Sequence, residues 1–301
     1  MNLIWGIDLG GTKIEGAIVD AANPGVALVR ERVPTGATLG YEHIIGQVVK
    51  LVEMLEEKSG SRRPVRIGIG TPGNIDPADN LLHHSNTQCL NGRPFRDDLS
   101  KALGVEVVMA NDANCMALAE AVLGAAKGAE TVIGLILGTG VGGGLVVDGR
   151  IIPGRHGTAG EWGQIVLDPD GPLSVYGTRG TVEAFISGTG LEACYERLAG
   201  TRLPLREIAE RAENGSDEAA VRTMDQLVAR FAQGVSILIN VFDPHAIVIA
   251  GGVSNIDLLY SSRVREALQK YVFARNFGTL LLRPALGDSA GVFGACMLVR
   301  E

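Results

Sequence analysis

The chain has few cysteines, and none of them are paired in a short motif. Four cysteines are spread over 301 residues, and no two have the Cys-x-x-Cys spacing. Structural disulfide frameworks and redox motifs use closely spaced cysteines. A structural disulfide set is therefore not expected, and the pattern is typical of a reduced, intracellular protein.

Positive charge is also scarce, since the formal net charge is −7 at pH 7. An acidic chain is a poor partner for nucleic acid or for an anionic membrane surface. The N-terminus has no basic region before its apolar residues, so we predict no signal peptide. The longest apolar stretch, residues 131–147, is interrupted by six glycines and predicts a hairpin rather than a membrane span. Together these absences predict a cytoplasmic protein.

Glycine, by contrast, is abundant, with 41 residues that fall in patches. This is about twice the usual share. With 46% hydrophobic and 20% charged residues, the chain is typical of a soluble globular protein and is long enough for two domains. The glycine patches therefore indicate turns and close backbone approaches to ligands rather than disorder.

The hydrophobic pattern predicts two copies of a βββαβα unit. In the first copy we expect strands at 3–9, 13–19, 27–33, 65–70 and 105–110, with helices at 41–58, 94–103 and 115–123. In the second we expect strands at 132–137, 144–147, 150–152, 246–250 and 279–283, with helices at 181–198, 222–242, 256–271 and 290–299. This repetition predicts an α/β fold of two related domains around a cleft, joined near residues 112–124.

Two glycine turns have the composition of a phosphate-binding loop. Residues 8–13 read Asp-Leu-Gly-Gly-Thr-Lys, and residues 137–144 read Leu-Gly-Thr-Gly-Val-Gly-Gly-Gly. Each lies between two strands, so neither is a Walker A loop or a Rossmann fingerprint. Glycines let backbone N–H groups approach phosphate, and Asp8 can hold Mg²⁺ through water. The alternative is an ordinary hairpin with a solvated aspartate. A third turn, Gly251-Gly252, follows an apolar strand.

Three acidic residues are candidates for the chemistry. Asp112 follows a strand at its C-terminal end, where open α/β sheets bind ligands, and is our candidate for a catalytic base; Asn-Asp is equally typical of a helix cap. Glu161 is flanked by small residues, which suits a carboxylate facing a ligand. Glu183 lies in the first turn of a helix, where the helix dipole also favours a carboxylate.

At this point the chain resembles the ROK sugar kinases of the actin-like ATPase/hexokinase superfamily. The resemblance rests on five ordered motifs: residues 8–13, 111–114, 137–144, 160–163, and 243–244 with 251–252. It covers essentially the whole chain and is strongest for the bacterial fructokinase/mannokinase branch. It implies two duplicated actin-like (ribonuclease H-like) domains, at residues 1–113 and 114–288, with the C-terminal helix 289–301 completing the first.

The resemblance implies ATP-dependent phosphorylation of a hexose at its 6-hydroxyl, with fructose as the favoured substrate, mannose or glucose as alternatives, and ATP and Mg²⁺ as cofactors. Asp112 is then the general base. The sugar is bound by Asn111, Glu161, Glu183, Gln164 and Asn86. ATP is bound by Asp8, Gly10, Gly11, Thr12, Lys13, Gly138, Thr139, Gly140, Gly251 and Gly252. A homodimer is also expected.

Other functions stay open from the sequence. One is an N-acetylglucosamine kinase or glucokinase of the same family, since residues 134–140 are also similar to those of N-acetylglucosamine kinases. Another is a non-catalytic sugar sensor, against which the presence of Asp112 and both hairpins argues. A sugar-responsive repressor of this family carries a helix-turn-helix domain before the kinase-like part. We expect none here, because the first hairpin begins at Leu3.

The chain departs from the family at one point. The family's zinc site uses one histidine and three cysteines, and the matching positions here are Gln164, Ser174, Tyr176 and Thr181. These residues are not a zinc ligand set. We therefore predict no structural zinc, with the loop from 164 to 181 held by packing and hydrogen bonds.

Overall fold

A computed structural model describes residues 2–300, which form two compact units. The first unit comprises the residues up to Gly128, the segment Gly144–Ala159 and the residues from Ala285 onward. The second comprises Ala129–Gly143 and Gly160–Pro284. The domain boundaries expected from the sequence, 1–113 and 114–288, stay a prediction. None of the described helices combines the length and the apolar character needed to cross a membrane.

The N-terminal half of the chain forms the following elements in order: β1 (Leu3–Leu9), β2 (Lys13–Asp20), β3 (Asn23–Pro34), α1 (Tyr41–Ser59), β4 (Arg66–Thr71), β5 (Asn74–Ile75), β6 (Leu82–His83), α2 (Phe95–Leu103), β7 (Glu106–Asn111) and α3 (Asp112–Val122). Every strand and helix expected from the hydrophobic pattern in this half is present.

The remainder forms β8 (Thr131–Leu137), β9 (Val141–Val147), β10 (Arg150–Ile151), α4 (Val182–Ile186), α5 (Gly188–Ala199), α6 (Leu205–Glu213), α7 (Glu218–Phe242), β11 (Ala246–Ala250), α8 (Ser262–Gln269), β12 (Leu280–Leu282) and α9 (Ala290–Met297). Short 3₁₀ turns occur between several of these elements.

The two large sheets have the same topology. Their strand orders are β3-β2-β1-β4-β7 and β10-β9-β8-β11-β12. If the five strands of each sheet are numbered along the chain, both sheets have the spatial order 3-2-1-4-5. In the first sheet, β1, β2 and β3 pair antiparallel, whereas β4 pairs parallel with β1 and β7. In the second, β11 pairs parallel with β8 and β12. This repetition confirms the predicted duplicated α/β fold.

Helix α1 covers one face of the first sheet with a regular apolar stripe. Ile44, Val48, Leu51 and Leu55 recur at helical spacing and are fully buried. The helix ends at Gly60, which has φ of 64° and suits the left-handed C-terminal position of a helix. Burying such an apolar stripe is the main stabilising contribution of a surface helix.

Helix α9 packs on β1 and β4 and against α3, at very short range. A Cβ at Gly68 would lie 1.8 Å from the Ala295 carbonyl oxygen, and one at Gly294 would lie 1.9 Å from that of Cys115. Only glycine permits such contacts between backbones. Helix α9 therefore fixes the strands and the helix that carry Asp8 and Asp112.

Three predictions about the helices need correction. The helix expected at 181–198 is two helices, because Ser187 is extended (ψ 160°) and its hydroxyl caps α5 by accepting from the Gly190 N–H. The helix expected at 256–271 begins as a 3₁₀ turn, and α8 starts only at Ser262. Helix α6 was not predicted. The closing helix ends at Met297, and Glu301 lies outside the described residues.

Candidate active site

Asp8 and Asp112 lie at the carboxyl ends of β1 and β7, the two parallel strands that flank β4 in the first unit. Asp8, near the end of β1, is opposite Gly70 on β4, and Gly70 is opposite Ala110 on β7. Asp112 follows two residues after Ala110. The register of three strands therefore brings together two carboxylates that are 104 residues apart in the sequence.

Asn111 is the N-cap of α3, and Asp112 is the first residue of that helix. The Asn111 Oδ1 accepts a hydrogen bond of 2.8 Å from the Asn114 N–H, and the Asp112 Oδ1 accepts one of 2.8 Å from the Ala113 N–H. The capping alternative is thus correct for Asn111. The hydrogen bond from Ala113 uses only one oxygen of the Asp112 carboxylate, and Asp112 is exposed to solvent.

Both carboxyl groups hold their protons more strongly than usual. Desolvation by the surrounding protein raises the pKa of Asp112 although its side chain is accessible, and the backbone N–H groups of the helix start offset part of this effect. Desolvation, together with the negative charges of Asp112 and Glu15, raises the pKa of Asp8 to about 6, while the positive charge of Lys13 opposes this rise. Two carboxyl groups whose pKa values are both raised by burial mark a candidate functional site.

The first glycine turn is compact and leaves its tip open. The Gly10 N–H donates to the Lys13 carbonyl oxygen at 2.9 Å, and Thr12 and Lys13 are exposed. No atom lies within 4 Å of the position that a side chain at Gly11 would occupy. The Lys13 ammonium lies 3.5 Å from Glu15, a buried carboxylate that also binds Arg30 and Arg32. A phosphate can therefore reach the backbone of this turn.

In the second unit, the other two glycine turns meet. A Cβ at Gly251 would lie 2.4 Å from the Leu137 carbonyl oxygen, and Gly251 has φ of 88°, which favours glycine. The Gly138 N–H donates to the Gly140 carbonyl oxygen at 2.9 Å, while no atom lies within 4 Å of a side-chain position at Gly138 or Gly252. The glycine turns at the ends of β8 and β11 therefore lie next to each other, and the backbone at Gly138 and Gly252 is accessible to a ligand.

A cavity of about 1160 Å³ opens beside these turns, and Gly138, Thr139 and Gly252 line it. Its apolar side chains come largely from α6 and α7: Leu205, Ala209, Val221 and Met224. Arg206 and Arg263 also line it, and each is paired with an acidic residue of the lining, Glu210 and Asp225. A large cavity with apolar walls and open backbone suits a nucleotide. The part of this wall that α6 forms was not expected from the sequence. The amphipathic stretch after Pro204 is the pattern that indicates this helix.

Glu183 is tied to the second glycine turn. Its Oε2 accepts a hydrogen bond of 3.0 Å from the Val141 N–H, and a Cβ at Gly140 would lie 2.8 Å from that oxygen. Within residues 2–300, no hydrogen-bond partner contacts its buried Oε1. A buried carboxylate oxygen without a partner is rare and costly. Glu183 therefore has one carboxylate oxygen that no donor of the described residues satisfies.

The remaining predicted sugar residues lie in both units. Glu161 begins a 3₁₀ turn that includes Gln164, and this turn is anchored by the Trp162 Nε1–H, which donates to the Gly142 carbonyl oxygen at 2.9 Å. Glu161 and Gln164 belong to the second unit with Glu183. Asn86 is exposed on a loop after β6 in the first unit. The role of Asn86 in binding the sugar stays a prediction.

The loop that carries the family's zinc ligands is held here by hydrogen bonds. The Ser174 N–H donates to the Thr178 carbonyl oxygen at 2.8 Å, and the Ser174 Oγ accepts from the Thr178 N–H at 3.2 Å. The Thr181 Oγ1 caps α4 through the Ala184 N–H, and the Val182 N–H donates to Ile165 at 2.9 Å. Ser174 and Thr181 therefore have structural roles that need no metal.

Comparison with known proteins identifies the family. The model of the ROK family matches residues 4–301. The chain belongs to the ROK family. An N-acetyl-D-glucosamine kinase from Haemophilus influenzae is 36% identical, and the alignment covers 98% of this chain and 99% of that protein.

Two solved ROK structures extend over the same length. The ROK hexokinase from Thermus thermophilus has a TM-score of 0.88 at 34% identity and covers 98% of this chain and 97% of its own. A glucokinase from Streptomyces griseus, in complex with glucose and AMPPNP, has a TM-score of 0.75 at 30% identity and covers 99% of both chains. The fold and the family implied by the sequence motifs are confirmed.

The chain is therefore a sugar kinase of the ROK family. The three relatives named here are an N-acetyl-D-glucosamine kinase, a hexokinase and a glucokinase, and none of them is named a fructokinase. The expectation of fructose rested on the resemblance to the fructokinase/mannokinase branch.

Proposed function

We propose that this protein is an ATP-dependent hexose kinase that transfers the γ-phosphate to the 6-hydroxyl of N-acetylglucosamine or glucose. The observation that carries this proposal is the accessible Asp112 carboxylate at the strand ends, beside Asp8. The nucleotide-sized cavity at the glycine turns of the second unit supports it. The proposal replaces fructose as the favoured substrate.

In this function Asp112 is the general base. As the hydroxyl oxygen forms its bond to the γ-phosphorus, Asp112 accepts the hydroxyl proton, and the bond from phosphorus to the ADP oxygen breaks. The raised pKa of Asp112 makes it a better proton acceptor than an ordinary solvated aspartate. The start of α3 holds this carboxylate in place through the Ala113 N–H.

The nucleotide is assigned to the second unit. The adenine ring of ATP fits the apolar wall from α6 and α7. The phosphates of ATP fit the open backbone of Gly138–Gly140 and Gly251–Gly252. Gly10, Gly11, Thr12 and Lys13 are assigned to the same phosphates. Mg²⁺ bound with ATP would neutralise phosphate charge, and Asp8 is the carboxylate that suits it, through water.

The sugar is assigned to Asn111, Glu161, Glu183, Gln164 and Asn86. Carboxylates are strong acceptors for sugar hydroxyls. The buried Oε1 of Glu183 accepts no hydrogen bond from the described residues. The names of the full-length relatives support an aldohexose. A homodimer in the cytoplasm stays a prediction from the sequence.

Steady-state ADP release tests this function. The purified protein is assayed with ATP and Mg²⁺ against N-acetylglucosamine, glucose, mannose, N-acetylmannosamine and fructose. We expect the highest kcat/KM with N-acetylglucosamine or glucose, and a product phosphorylated at the 6-position by NMR. Binding of a sugar without ADP release from any of them would instead favour the non-catalytic sensor, and a preference for fructose would contradict the assignment.

A further inference from the structure

A buried carboxylate on β2 lies directly opposite Asp8. Glu15 is the partner of Asp8 in the pairing of β1 with β2, and it is the partner of Arg32 in the pairing of β2 with β3. Glu15 is only 1% exposed. Like charges directly opposite each other destabilise a sheet, and burying a carboxylate is costly unless it is paired. The stability of the sheet therefore does not by itself account for a glutamate at this position.

Two arginines of β3 hold the Glu15 carboxylate in place. The Arg30 Nε–H donates to its Oε1, the Arg32 Nη2 donates to the same oxygen at 3.2 Å, and the Arg32 Nε lies 2.9 Å from its Oε2. Arg30 also donates to the Ser289 hydroxyl at 3.0 Å, just before α9. Burial by itself raises the pKa of Glu15, but the hydrogen bonds and positive charges of the two arginines outweigh this effect and lower the pKa. Glu15 is therefore a fixed negative charge.

Lys13 is the third cation at Glu15, and it follows the first glycine turn directly. Its ammonium nitrogen lies 3.5 Å from the Glu15 Oε2. Lys13 and Glu15 are two residues apart on β2, so their side chains project from the same face of the sheet, which is also the face of Asp8. The positive charge of Lys13 also acts on Asp8, because it opposes the rise in the Asp8 pKa. The ammonium group is therefore close to both carboxylates, at the base of the turn.

This arrangement suits an incoming phosphate group. Lysine carries its charge on a long, flexible side chain, and ordering that side chain costs entropy when a ligand binds. An ammonium that is already held by a fixed partner avoids part of this cost. Three cations face only two carboxylates, Glu15 and Asp8, so the cluster keeps a net positive charge when both are ionised. An anion is therefore attracted to the Lys13 ammonium.

We propose that Glu15 is a positioning residue, which holds the Lys13 ammonium at the base of the first glycine turn so that it contacts the phosphates of ATP. Glu15 itself touches neither ATP nor the sugar and acts through Lys13. This inference rests on the proposed function, which assigns Lys13 to those phosphates. It predicts that the KM for ATP depends on Glu15, whereas the KM for the sugar does not.

A double-mutant cycle tests this role. Lys13→Met removes the ammonium group, and Glu15→Gln removes the negative charge at nearly the same size. We expect each single variant to raise the KM for ATP by about fivefold or more, with the KM for the sugar unchanged within about twofold. The double variant should match the KM for ATP of Lys13→Met within about twofold, because both changes remove the same interaction. Effects that multiply in the double variant would show that Glu15 acts independently of Lys13, and would overturn the proposal.

Glu31→Gln is the matched control. Glu31 lies on β3 in the same sheet and is also ion-paired, but its partner is Lys58 of α1. It is opposite Gly16, whose side-chain position faces Leu51 and Leu55 of α1, so Glu31 projects from the other face of the sheet. This variant loses an ion pair of the same kind and should keep the parent KM for ATP.

A second variant covers the case in which Glu15→Gln does not fold. Glu15→Asp keeps the negative charge near Arg30 and Arg32, but it shortens the side chain by one methylene and withdraws the carboxylate from Lys13. We expect a cooperative melting curve and a raised KM for ATP. A folded Glu15→Asp with the parent KM for ATP would overturn the proposal.

Calorimetric titration with ATP and Mg²⁺ distinguishes failure of this inference from failure of the proposed function. If the parent phosphorylates a hexose but the Glu15 variants keep its KM for ATP, the positioning role is wrong and the kinase assignment stands. If the parent phosphorylates no hexose, the kinase assignment fails. The Kd for ATP of the four proteins in the cycle then decides the role of Glu15 alone, and multiplying effects, or none, would overturn it.

Discussion

The Glu120 carboxylate on α3 accepts a hydrogen bond from the Leu286 N–H, with 2.9 Å between oxygen and nitrogen. It also accepts from the N–H groups of Ala285 at 3.0 Å and Ala125 at 2.8 Å, and its side chain is fully buried. One buried carboxylate thus binds the chain segment that follows α3 and the segment that leads into α9. Both segments belong to the first unit.

Removing this carboxylate should destabilise the protein strongly. Glu120→Ala leaves three buried backbone N–H groups without an acceptor, and we expect a loss of about 3–5 kcal/mol in the free energy of unfolding. Urea unfolding followed by circular dichroism measures it. Glu266→Ala, an exposed glutamate on α8, is the control and should change the free energy by less than about 0.5 kcal/mol. Equal effects of the two variants would contradict the role of Glu120.

Asp112→Asn should remove turnover while sugar binding remains measurable. The amide keeps the shape of the carboxylate but cannot accept the hydroxyl proton, and general-base catalysis is typically worth about 10²–10⁴-fold in rate. ADP release gives kcat, and calorimetry gives the affinity for the sugar. Asp170→Asn, at an exposed aspartate of the second unit, should retain the parent rate. Substantial turnover by Asp112→Asn would rule out Asp112 as the base.

Asp8 should make the stability of the protein depend on pH in a defined window. Its folded-state pKa of about 6 is above the ordinary value of 3.8, so the folded state binds the proton more tightly than the unfolded state. Stability is therefore lost as the pH rises from about 4 to about 6, and the whole loss is present above pH 6.

Replacing Asp8 should then stabilise the protein at neutral pH at the expense of activity. For Asp8→Asn we expect an increase of about 1–3 kcal/mol in the free energy of unfolding at pH 7.5, and little difference from the parent near pH 4. Urea titrations at the two pH values measure this, with ADP release in parallel. A stability difference that is the same at both pH values would show that desolvation and charge repulsion at Asp8 are not its cause.

Gly138→Val should weaken the use of ATP without unfolding the protein. Gly138 lacks a positive φ, and within residues 2–300 no atom lies within 4 Å of the Cβ position, so the protein leaves room for the Cβ of a valine. We expect the KM for ATP to rise at least tenfold, with a melting temperature near that of the parent. Gly278→Val is the matched control, since Gly278 is equally open and lies outside the nucleotide cavity. An unchanged KM for ATP would show that the nucleotide does not bind at Gly138.

The loop from 164 to 181 should fold without zinc. Ser174 and Thr181 stabilise it through hydrogen bonds, and the described residues contain no cluster of three or more histidine, cysteine, aspartate or glutamate side chains suited to a metal. Elemental analysis of protein purified without a chelator should find no stoichiometric zinc. About one zinc per chain would contradict the prediction.

The sequence by itself was sufficient for much of the fold. Apolar periodicity located β1, α1, β7 and β11 to within a residue or two, because each element buries one regular face. It failed where a single side chain changes the backbone path. Ser187 divides one predicted helix into two, and α6 escaped notice because its short amphipathic pattern lies between a proline and a polar turn.

Some features of the candidate site could likewise be predicted from the sequence, and others could not. The glycine turns and the Asn-Asp pair were visible in the sequence, because phosphate binding and proton transfer need particular residue types at fixed local spacing. Only the tertiary structure decided that Asp8 and Asp112 lie at the ends of the two strands that flank β4, and that Glu183 accepts a hydrogen bond from Val141. These relationships depend on strand register and on close packing between segments far apart in the chain, and local sequence does not record either. For that reason the sequence determined the class of chemistry, whereas the surroundings of the sugar were decided by the fold.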